Sequence, residues 1–257
     1  MSTSPPVRSV TRAIALLQAL NRQPVSTLDM LYVQTKIPKP SIVRLLRTLE
    51  SQDLVRHAPQ HGAYYLTSGV RSLSAGYHSE PMVVEASAPL LDAFTLRVKW
   101  PVAIAVPDGD AMVIRYTTIP ISPLALLHSS INMRLSLATR SLGRVYLAFC
   151  DDDQRAALIS MLQESKDPEI GPDFDWPALI AELDRIRQRG YASRMPGVRP
   201  VSDTLAVPVY QGTRLTASVG LTFFSSVLSI DEAAERFLGE LKQVADEIGQ
   251  RLDRLAG

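Results

Sequence analysis

The hydrophobic and polar positions of the N-terminal part follow helical spacing first and strand spacing afterwards. Apolar residues recur every three or four positions, which predicts an amphipathic helix over residues 8–21. Ser26 and Asp29 form a capping-box pattern ahead of a second, shorter helix that reaches about residue 35. A third helix is predicted over residues 41–52, with Pro40 at its first position, where a missing N–H costs nothing.

The third helix has an apolar side and a cationic side. Its apolar stripe consists of Ile42, Leu45, Leu46 and Leu49. Ser41, Arg44 and Arg47 lie on the opposite side of the helix. Two alternating segments, 54–57 and 63–66, then predict a β-hairpin. Three short helices followed by a hairpin predict a winged helix-turn-helix.

The remainder of the chain mixes strands with helices, a pattern typical of an α+β domain. We predict a linker helix, a longer helix that kinks or restarts at Pro89, and a central antiparallel sheet flanked by helices. The strands are predicted at 101–106, 112–118, 204–210 and 217–224. The helices are predicted at 82–98, 141–149, 152–163 and 177–190. Ser229 and Glu232 form a capping box before a long last helix. We therefore divide the chain into a winged helix-turn-helix at 1–68, a linker helix at 69–81 and a second domain at 82–257.

Composition narrows the class of protein. A chain of 257 residues with 46% hydrophobic and 21% charged residues fits a globular protein with two unequal domains. The single cysteine, Cys150, excludes an internal disulfide framework and fits a reducing compartment. No apolar run approaches the ~20 residues that span a bilayer, and the first residues are polar. We therefore expect a cytoplasmic protein that does not enter membranes.

The net charge of +1 conceals a strong asymmetry along the chain. Residues 1–78 contain nine lysines and arginines against three acidic residues, a net charge of +6. The remainder contains eighteen basic and twenty-three acidic residues, a net charge of −5. Such an asymmetry is expected when one end of a chain binds a polyanion and the other does not.

The cationic third helix indicates that the polyanion is DNA. The major groove of DNA admits one α-helix, and the first residues of that helix meet the base edges. Arg44 can donate two hydrogen bonds to guanine, a contact worth ~1–3 kcal/mol of discrimination. Lys39, Arg47 and Arg56 suit phosphates, which set the register without specifying sequence. The predicted DNA-binding residues are Lys39, Pro40, Ser41, Ile42, Arg44, Arg47, Arg56 and His61, the last of them in the wing. The expected partner is double-stranded DNA.

Other functions remain open at this point. The third helix can be an ordinary solvated helix, or the winged helix can bind a protein instead of a nucleic acid. An enzyme is not expected, because the sequence has no phosphate-binding glycine loop, no nucleophile elbow and no metal-spaced histidine or cysteine set. The acidic run 151–153 fits the start of a helix better than a metal site. We predict no catalytic residue, metal or cofactor.

An ordered set of segments resembles the IclR family of bacterial transcriptional regulators. The resembling segments are 10–17, 37–49 (IPKPSIVRLLRTL), 53–55, 65–67, 142–149 (LGRVYLAF), 189–191 and 205–209. The resemblance implies a GAF-like effector domain, a homodimer or dimer of dimers, and palindromic operators. It also implies a regulator of the breakdown of aromatic or other small organic acids, closest to the hydroxyphenylpropionate type. Arg140 departs from the family, where a small residue is more usual.

We expect the effector pocket between the sheet and the helix that ends at Phe149. An aromatic carboxylic acid needs apolar walls and a few fixed donors for its carboxylate. The candidate polar contacts are Arg115, Tyr116, His128, Arg140 and Ser141, and the candidate walls are Met133, Phe149 and Cys150. Each has an alternative: Cys150 as a buried small hydrophobe, His128 as a structural residue, Tyr116 pointing outward and Arg140 at the surface.

Overall fold

The computed structural model describes residues 6–74, 81–125, 129–165 and 167–256. These residues form two compact units, with the main division near residue 80. The N-terminal unit contains α1 (Arg8–Arg22), β1 (Ser26–Thr27), α2 (Leu28–Thr35), α3 (Lys39–Ser51), β2 (Val55–Ala58) and β3 (Ala63–Leu66). Its three strands form an antiparallel sheet in the order β1-β3-β2. The predicted winged helix-turn-helix is confirmed.

The core of this unit lies between its three helices. The largest fully buried side chains are Leu16, Leu20, Leu31, Ile42 and Leu46. Val10 and Ile14 also follow the helical spacing of α1, yet they are about half exposed, at 55% and 50%. The apolar stripe of α1 is therefore wider than the surface that the core covers.

The N-cap of α2 differs from the prediction by one residue. Thr27 is the N-cap, and its Oγ1 accepts a hydrogen bond from the Met30 amide at 3.4 Å. Ser26 is instead buried in β1 and donates its hydroxyl to the Gln23 carbonyl at 3.0 Å. The capping box of Ser26 and Asp29 was wrong, because the preceding strand turns Ser26 into the core.

The C-terminal unit is built on a five-stranded antiparallel sheet. Its elements are α4 (Pro81–Val98), β4 (Val102–Asp108), β5 (Ala111–Thr117), β6 (Arg134–Ser136), α5 (Ser141–Phe149), α6 (Asp152–Glu164), α7 (Trp176–Arg189), β7 (Ser202–Gln211), β8 (Arg214–Phe224) and α8 (Ile230–Ala256). The strand order is β6-β5-β4-β8-β7. The short strand β6 was not predicted, and α4 continues through Pro89 as one helix. The capping box of Ser229 and Glu232 is confirmed by reciprocal hydrogen bonds at 2.8 and 3.2 Å.

Helices cover both faces of this sheet. On one face α4 and α8 enclose a core that includes Phe94, Ile104 and Phe223. On the other face α5 and α7 enclose a core that includes Met112 and Leu147. The predicted α+β architecture, a central antiparallel sheet flanked by helices, is confirmed.

The predicted linker helix over 69–81 lies partly within the described residues. Ser68–Ser74 forms a 3-10 helix, and residues 75–80 lie outside the part of the chain that the structure describes. The Gly69 Cα in this segment approaches the Asp53 carbonyl so closely that an added Cβ would lie 2.2 Å from the oxygen. The start of the linker is thereby packed against the turn that follows α3 within the N-terminal unit.

The close approach of α8 to β7 supplies a test of this packing. A Cβ at Gly249 would lie 2.0 Å from the Tyr210 carbonyl oxygen, whereas a Cβ at Gly239 in the same helix meets nothing within 4 Å. We expect Gly249→Ala to lower the free energy of unfolding by about 2–3 kcal/mol, because the strand backbone cannot move aside. Gly239→Ala should raise it by up to about 1 kcal/mol, the helix-propensity gain. Equilibrium urea unfolding measures both, and equal midpoints for the two variants would refute the packing.

Candidate nucleic-acid and effector sites

The candidate recognition surface of the N-terminal unit is the side of α3 that faces away from the core. Arg44 and Arg47 are exposed there, three residues apart along the helix. Neither side chain forms an ion pair or hydrogen bond with any residue in the described parts of the chain. Two guanidinium groups one turn apart thus present all their donors to the outside.

The first turn of α3 is organised differently from the prediction. The helix begins at Lys39, with Pro38 as its N-cap and Pro40 at its second position. Pro40 is exposed and Ser41 is half-buried, so both border the surface of α3. Ile42 is fully buried in the core between the helices. Its assignment to the DNA surface was wrong, because the apolar stripe that fixes α3 in place includes it.

Two predicted phosphate ligands carry acidic partners. Lys39 forms an ion pair with Asp29 of α2. Arg56 of β2 lies 3.6 Å from Asp53, measured from its Nη2 to a carboxylate oxygen. Both pairs are exposed, and exposed pairs contribute at most about 1 kcal/mol. Phosphate oxygens can therefore replace these carboxylates at little cost.

The wing is attached to the end of α3. The backbone amide of His57 donates to the Glu50 carboxylate at 3.2 Å, and the His57 ring packs on Tyr64 with centroids 4.6 Å apart. His61 is exposed in the 3-10 turn Pro59–His61, and Gly62 follows with a left-handed φ of 55°. Glu50 was not among the predicted residues, although its role is to hold the wing rather than to contact DNA.

The eight predicted effector residues do not form one site. Arg115 donates to the Asn132 side chain at 3.1 Å near the sheet edge. Tyr116 lies on the α4 face of the sheet, where its hydroxyl donates to Asp92 at 2.7 Å and burial raises its pKa to about 12. Met133 packs into the core on the α5 face. His128 lies outside the residues that the structure describes.

A β-bulge explains why Tyr116 is on the wrong face for the predicted pocket. Ile104 pairs with Tyr116 and Ala105 pairs with Ile114, so Arg115 is the extra residue on β5. A bulge of this kind reverses the alternation of side chains beyond it. Met112 and Ile114 therefore face α5, whereas Tyr116 faces α4.

The four candidates on α5 fall into two pairs. Arg140 and Ser141 are at its N-terminal end, and Phe149 and Cys150 are at its C-terminal end. Eight residues at 1.5 Å each separate the two ends by about 12 Å. One small molecule the size of benzoate contacts only one of these pairs.

The N-terminal end of α5 is surrounded by arginines. Arg140 is the N-cap residue, and its Nε donates to both Glu169 oxygens at 2.9 Å. Thr139 also donates to Glu169. These bonds lower the pKa of Glu169 even though burial opposes them. Arg140 thus neutralises an acidic residue in this structure.

Arg144, one turn further along α5, is almost completely buried. It donates to the Ser193 carbonyl at 2.7 Å, and its Nη2 lies 3.4 Å from a Glu182 oxygen. Glu182 is shared, because Arg185 and Arg189 also donate to it at 2.7 and 3.0 Å. Three guanidinium groups therefore share one carboxylate, and burial lowers the pKa of Arg144.

Arg194 is a second arginine near this end of α5, and it is half-buried. Its guanidinium donates to the Ser202 carbonyl and hydroxyl at 2.6 and 2.7 Å and to the Thr204 hydroxyl at 2.8 Å. Burial lowers its pKa to about 10, and the charges of Arg140 and Arg199 add to that effect. The sequence analysis did not identify Arg144 and Arg194, because an arginine is normally predicted to lie at the protein surface.

These arginines line a cavity of about 270 Å³ in the C-terminal unit. Arg144, Arg185 and Arg194 provide its positive charge, and Phe174, Leu179 and Met195 are among its apolar walls. Asp175 and Glu182 also line it, so three cationic side chains stand against two acidic ones. Charged donors and an apolar wall are what a small organic acid requires. We call this cavity, with these eight residues, the arginine cavity.

The described residues contain neither a metal-ligand cluster nor a membrane-spanning helix. Among them no three histidine, cysteine or acidic side chains come together as metal ligands. Within the same parts of the chain no helix has the length and apolar character needed to cross a membrane.

Comparison with known families matches nearly the whole chain. Residues 9–59 match the model described as the IclR helix-turn-helix domain. Residues 75–250 match the model described as bacterial transcriptional regulator IclR, C-terminal. The first match includes α3, and the second includes the arginine cavity.

Curated relatives align over almost their full length. The DNA-binding transcriptional repressor YiaJ of Escherichia coli K12 is 24% identical over 252 residues, 95% of this chain and 88% of that protein. The Pca regulon regulatory protein of Pseudomonas putida is 24% identical over 254 residues, 95% of this chain and 84% of that protein.

Solved structures share the fold. Thermotoga maritima IclR has a TM-score of 0.69 at 17% identity, with 96% of this chain and 99% of that chain covered. An IclR homologue from Microbacterium hydrocarbonoxydans, complexed with 4-hydroxybenzoate, has a TM-score of 0.65 at 16% identity, covering 96% and 99%. At these identities the likeness concerns the fold alone.

Proposed function

Because the chain belongs to the IclR family of bacterial transcriptional regulators, we propose that it controls a catabolic operon in response to a small organic acid. We assign DNA binding to residues 1–68, the linker to 69–81 and effector binding to 82–257. The protein binds a palindromic operator in the cytoplasm as a homodimer or a dimer of dimers. Two copies are needed because one winged helix contacts only one half-site.

The observation that carries DNA binding is a pair of arginines on α3 that have no ion-pair or hydrogen-bond partner within the described residues. Arg44 and Arg47 are exposed on the side opposite the core, within a segment of net charge +6. Arg44 contacts a guanine in the major groove, and Arg47 contacts a phosphate. Lys39, Ser41, Pro40, Arg56 and His61 border this contact. The helix-turn-helix family match favours DNA over a protein partner.

Salt dependence tests this proposal through Arg56. The logarithm of the DNA-binding constant should fall linearly with the logarithm of salt concentration, by about 0.9 per neutralised phosphate. Arg56→Ala should reduce that slope by about 0.9, the contribution of one phosphate contact. The preference for one sequence over another should stay unchanged. Fluorescence anisotropy with a labelled duplex measures both quantities, and Arg254→Ala in α8 is the matched control. Binding that does not depend on salt would instead favour the protein-interaction alternative.

We propose further that the effector is an aromatic carboxylic acid bound in the arginine cavity. Its carboxylate meets Arg194 and Arg144, and its ring packs on Phe174 and Met195. The support is the positive charge of the arginine cavity and its size, which suits one ring. The names of two relatives point in the same direction, since one regulates a Pca regulon and another was solved with 4-hydroxybenzoate.

Arg140, where the family more often has a small residue, acts beside this site through Glu169. Arg140 holds the Glu169 side chain away from an incoming carboxylate. The first backbone amides of α5, which begins at Ser141, are at this same end of the helix, where the helix dipole favours negative charge. Regulation requires that the acid bind two arrangements of the protein with different affinity. The two arrangements differ in the spacing of the DNA half-sites that the dimer can bind.

A further inference from the structure

A second cavity, of about 530 Å³, lies at the other end of α5, beside the turn that joins β7 and β8. It is lined by Tyr146, Phe149, Cys150, Tyr210, Arg214 and Leu215, among others. We propose that this cavity is a second small-molecule site of the C-terminal unit and that it binds an aryl carboxylate. It shares no lining residue with the arginine cavity.

Arg214 supplies the positive charge of this site. It is the exposed first residue of β8, and its guanidinium forms no ion pair or hydrogen bond within the described residues. The acidic residue of the lining, Asp151, is the N-cap of α6, where its carboxylate accepts a hydrogen bond from the backbone N–H of Gln154 at 2.8 Å. The cation therefore remains available to an anionic ligand.

Tyr146 supplies a hydrogen-bond donor. Its side chain is buried, and its hydroxyl accepts a hydrogen bond from the side-chain amide (Nε2) of Gln154 at 3.1 Å. The hydroxyl proton is donated to no acceptor in the parts of the chain that the structure describes. Tyr146 and Arg214 both line the cavity. Burial raises the pKa of Tyr146, and the charge of Arg214 acts against that rise. A carboxylate can accept from both.

The remaining walls suit an aromatic ring. Phe149, Tyr210 and Leu215 provide rings and an aliphatic side chain, and aromatic pairs gain from offset or edge contact. Cys150 is neutral near pH 7, because burial raises its pKa to about 11, and it acts as an apolar wall. The volume is about twice that of the arginine cavity, so a ring with a carboxylate-bearing side chain fits.

Cys150 makes the proposal testable, because it is the only cysteine in the sequence and it lines the cavity. The rate of its alkylation by iodoacetamide at mildly alkaline pH, followed by intact mass, reports whether the cavity is occupied. The probes are benzoate, 4-hydroxybenzoate, 3-phenylpropionate and 4-hydroxycinnamate at millimolar concentrations. We expect at least one acid to slow alkylation by about tenfold when saturating.

Variants separate this site from the arginine cavity. Arg214→Gln and Tyr146→Phe should each raise the acid concentration needed for protection by about tenfold. Arg236→Gln, the same change at an exposed position of α8, should leave it unchanged, and Arg194→Gln should preserve the protection. The proposal is overturned if no acid slows alkylation, if protection survives unchanged in Arg214→Gln, or if it is lost in Arg194→Gln.

Discussion

Replacing Arg44 with alanine is expected to abolish most of the preference for the operator over unrelated DNA. A bidentate contact between an arginine and guanine is worth about 1–3 kcal/mol, so the ratio of specific to non-specific affinity should fall about 5- to 150-fold per half-site. Arg44 is exposed and makes no ion pair within the described residues, so its loss leaves no buried group without a partner. The folded state should keep its stability.

The measurement compares the operator, selected from genomic DNA by the wild-type protein, with a scrambled duplex of equal length at several salt concentrations. Arg47→Ala is the matched control from the same helix face. It should weaken binding to both duplexes by a similar factor, since a phosphate contact carries no sequence information. An operator preference that persists in Arg44→Ala would show that α3 is not the recognition helix.

Replacing Arg194 with glutamine should give the largest effect in the C-terminal unit. If an aromatic carboxylate binds in the arginine cavity, loss of this guanidinium removes a charge-assisted hydrogen bond worth about 1.5–3 kcal/mol. The affinity for the acid should fall about 10- to 150-fold. Calorimetric titration with 4-hydroxybenzoate measures it, and the acid-induced rise in melting temperature should shrink in parallel.

The control for this change is Arg97→Gln. Arg97 pairs with Glu240 at 2.8 Å on the opposite face of the sheet, so its loss should not alter acid binding. The variant Arg194→Gln also loses hydrogen bonds to Ser202 and Thr204, and its melting temperature without ligand therefore provides the baseline. Equal affinity for the acid in the wild type and in Arg194→Gln would place the effector elsewhere.

Much of the N-terminal unit could be predicted from the sequence, because its elements are local. The spacing of Ile42, Leu46 and Leu49 defines the buried side of α3 without any knowledge of its neighbours. The opposite side then follows by exclusion, which is why Arg44 and Arg47 were found. The same spacing should have excluded Ile42 from the DNA surface.

The arginine cavity could not be predicted in the same way, because its residues are brought together by tertiary contacts. Arg144 is buried against Ser193 and Glu182, which lie 49 and 38 residues away in sequence (182 − 144 = 38). Arg194 is half-buried and donates to Thr204, 10 residues away. The bulge at Arg115 reverses the alternation of side chains along β5, and no residue type in the sequence predicts a bulge at that position.

The candidates at the two ends of α5 are far apart for a different reason. Arg140 and Phe149 were correctly given to one helix, but a helix separates its ends in space. Of the four candidates, Phe149 and Cys150 line the second cavity, whereas Arg140 and Ser141 line neither cavity.

The central claim is that the exposed side of α3 lies against DNA, and arginine modification tests it most directly. The protein is treated with phenylglyoxal alone and in complex with its operator, and modified arginines are identified by mass spectrometry. We predict that Arg44 and Arg47 are protected in the complex, whereas Arg254 of α8 reacts at the same rate in both. Equal reaction of Arg44 and Arg47 with and without DNA would contradict the account.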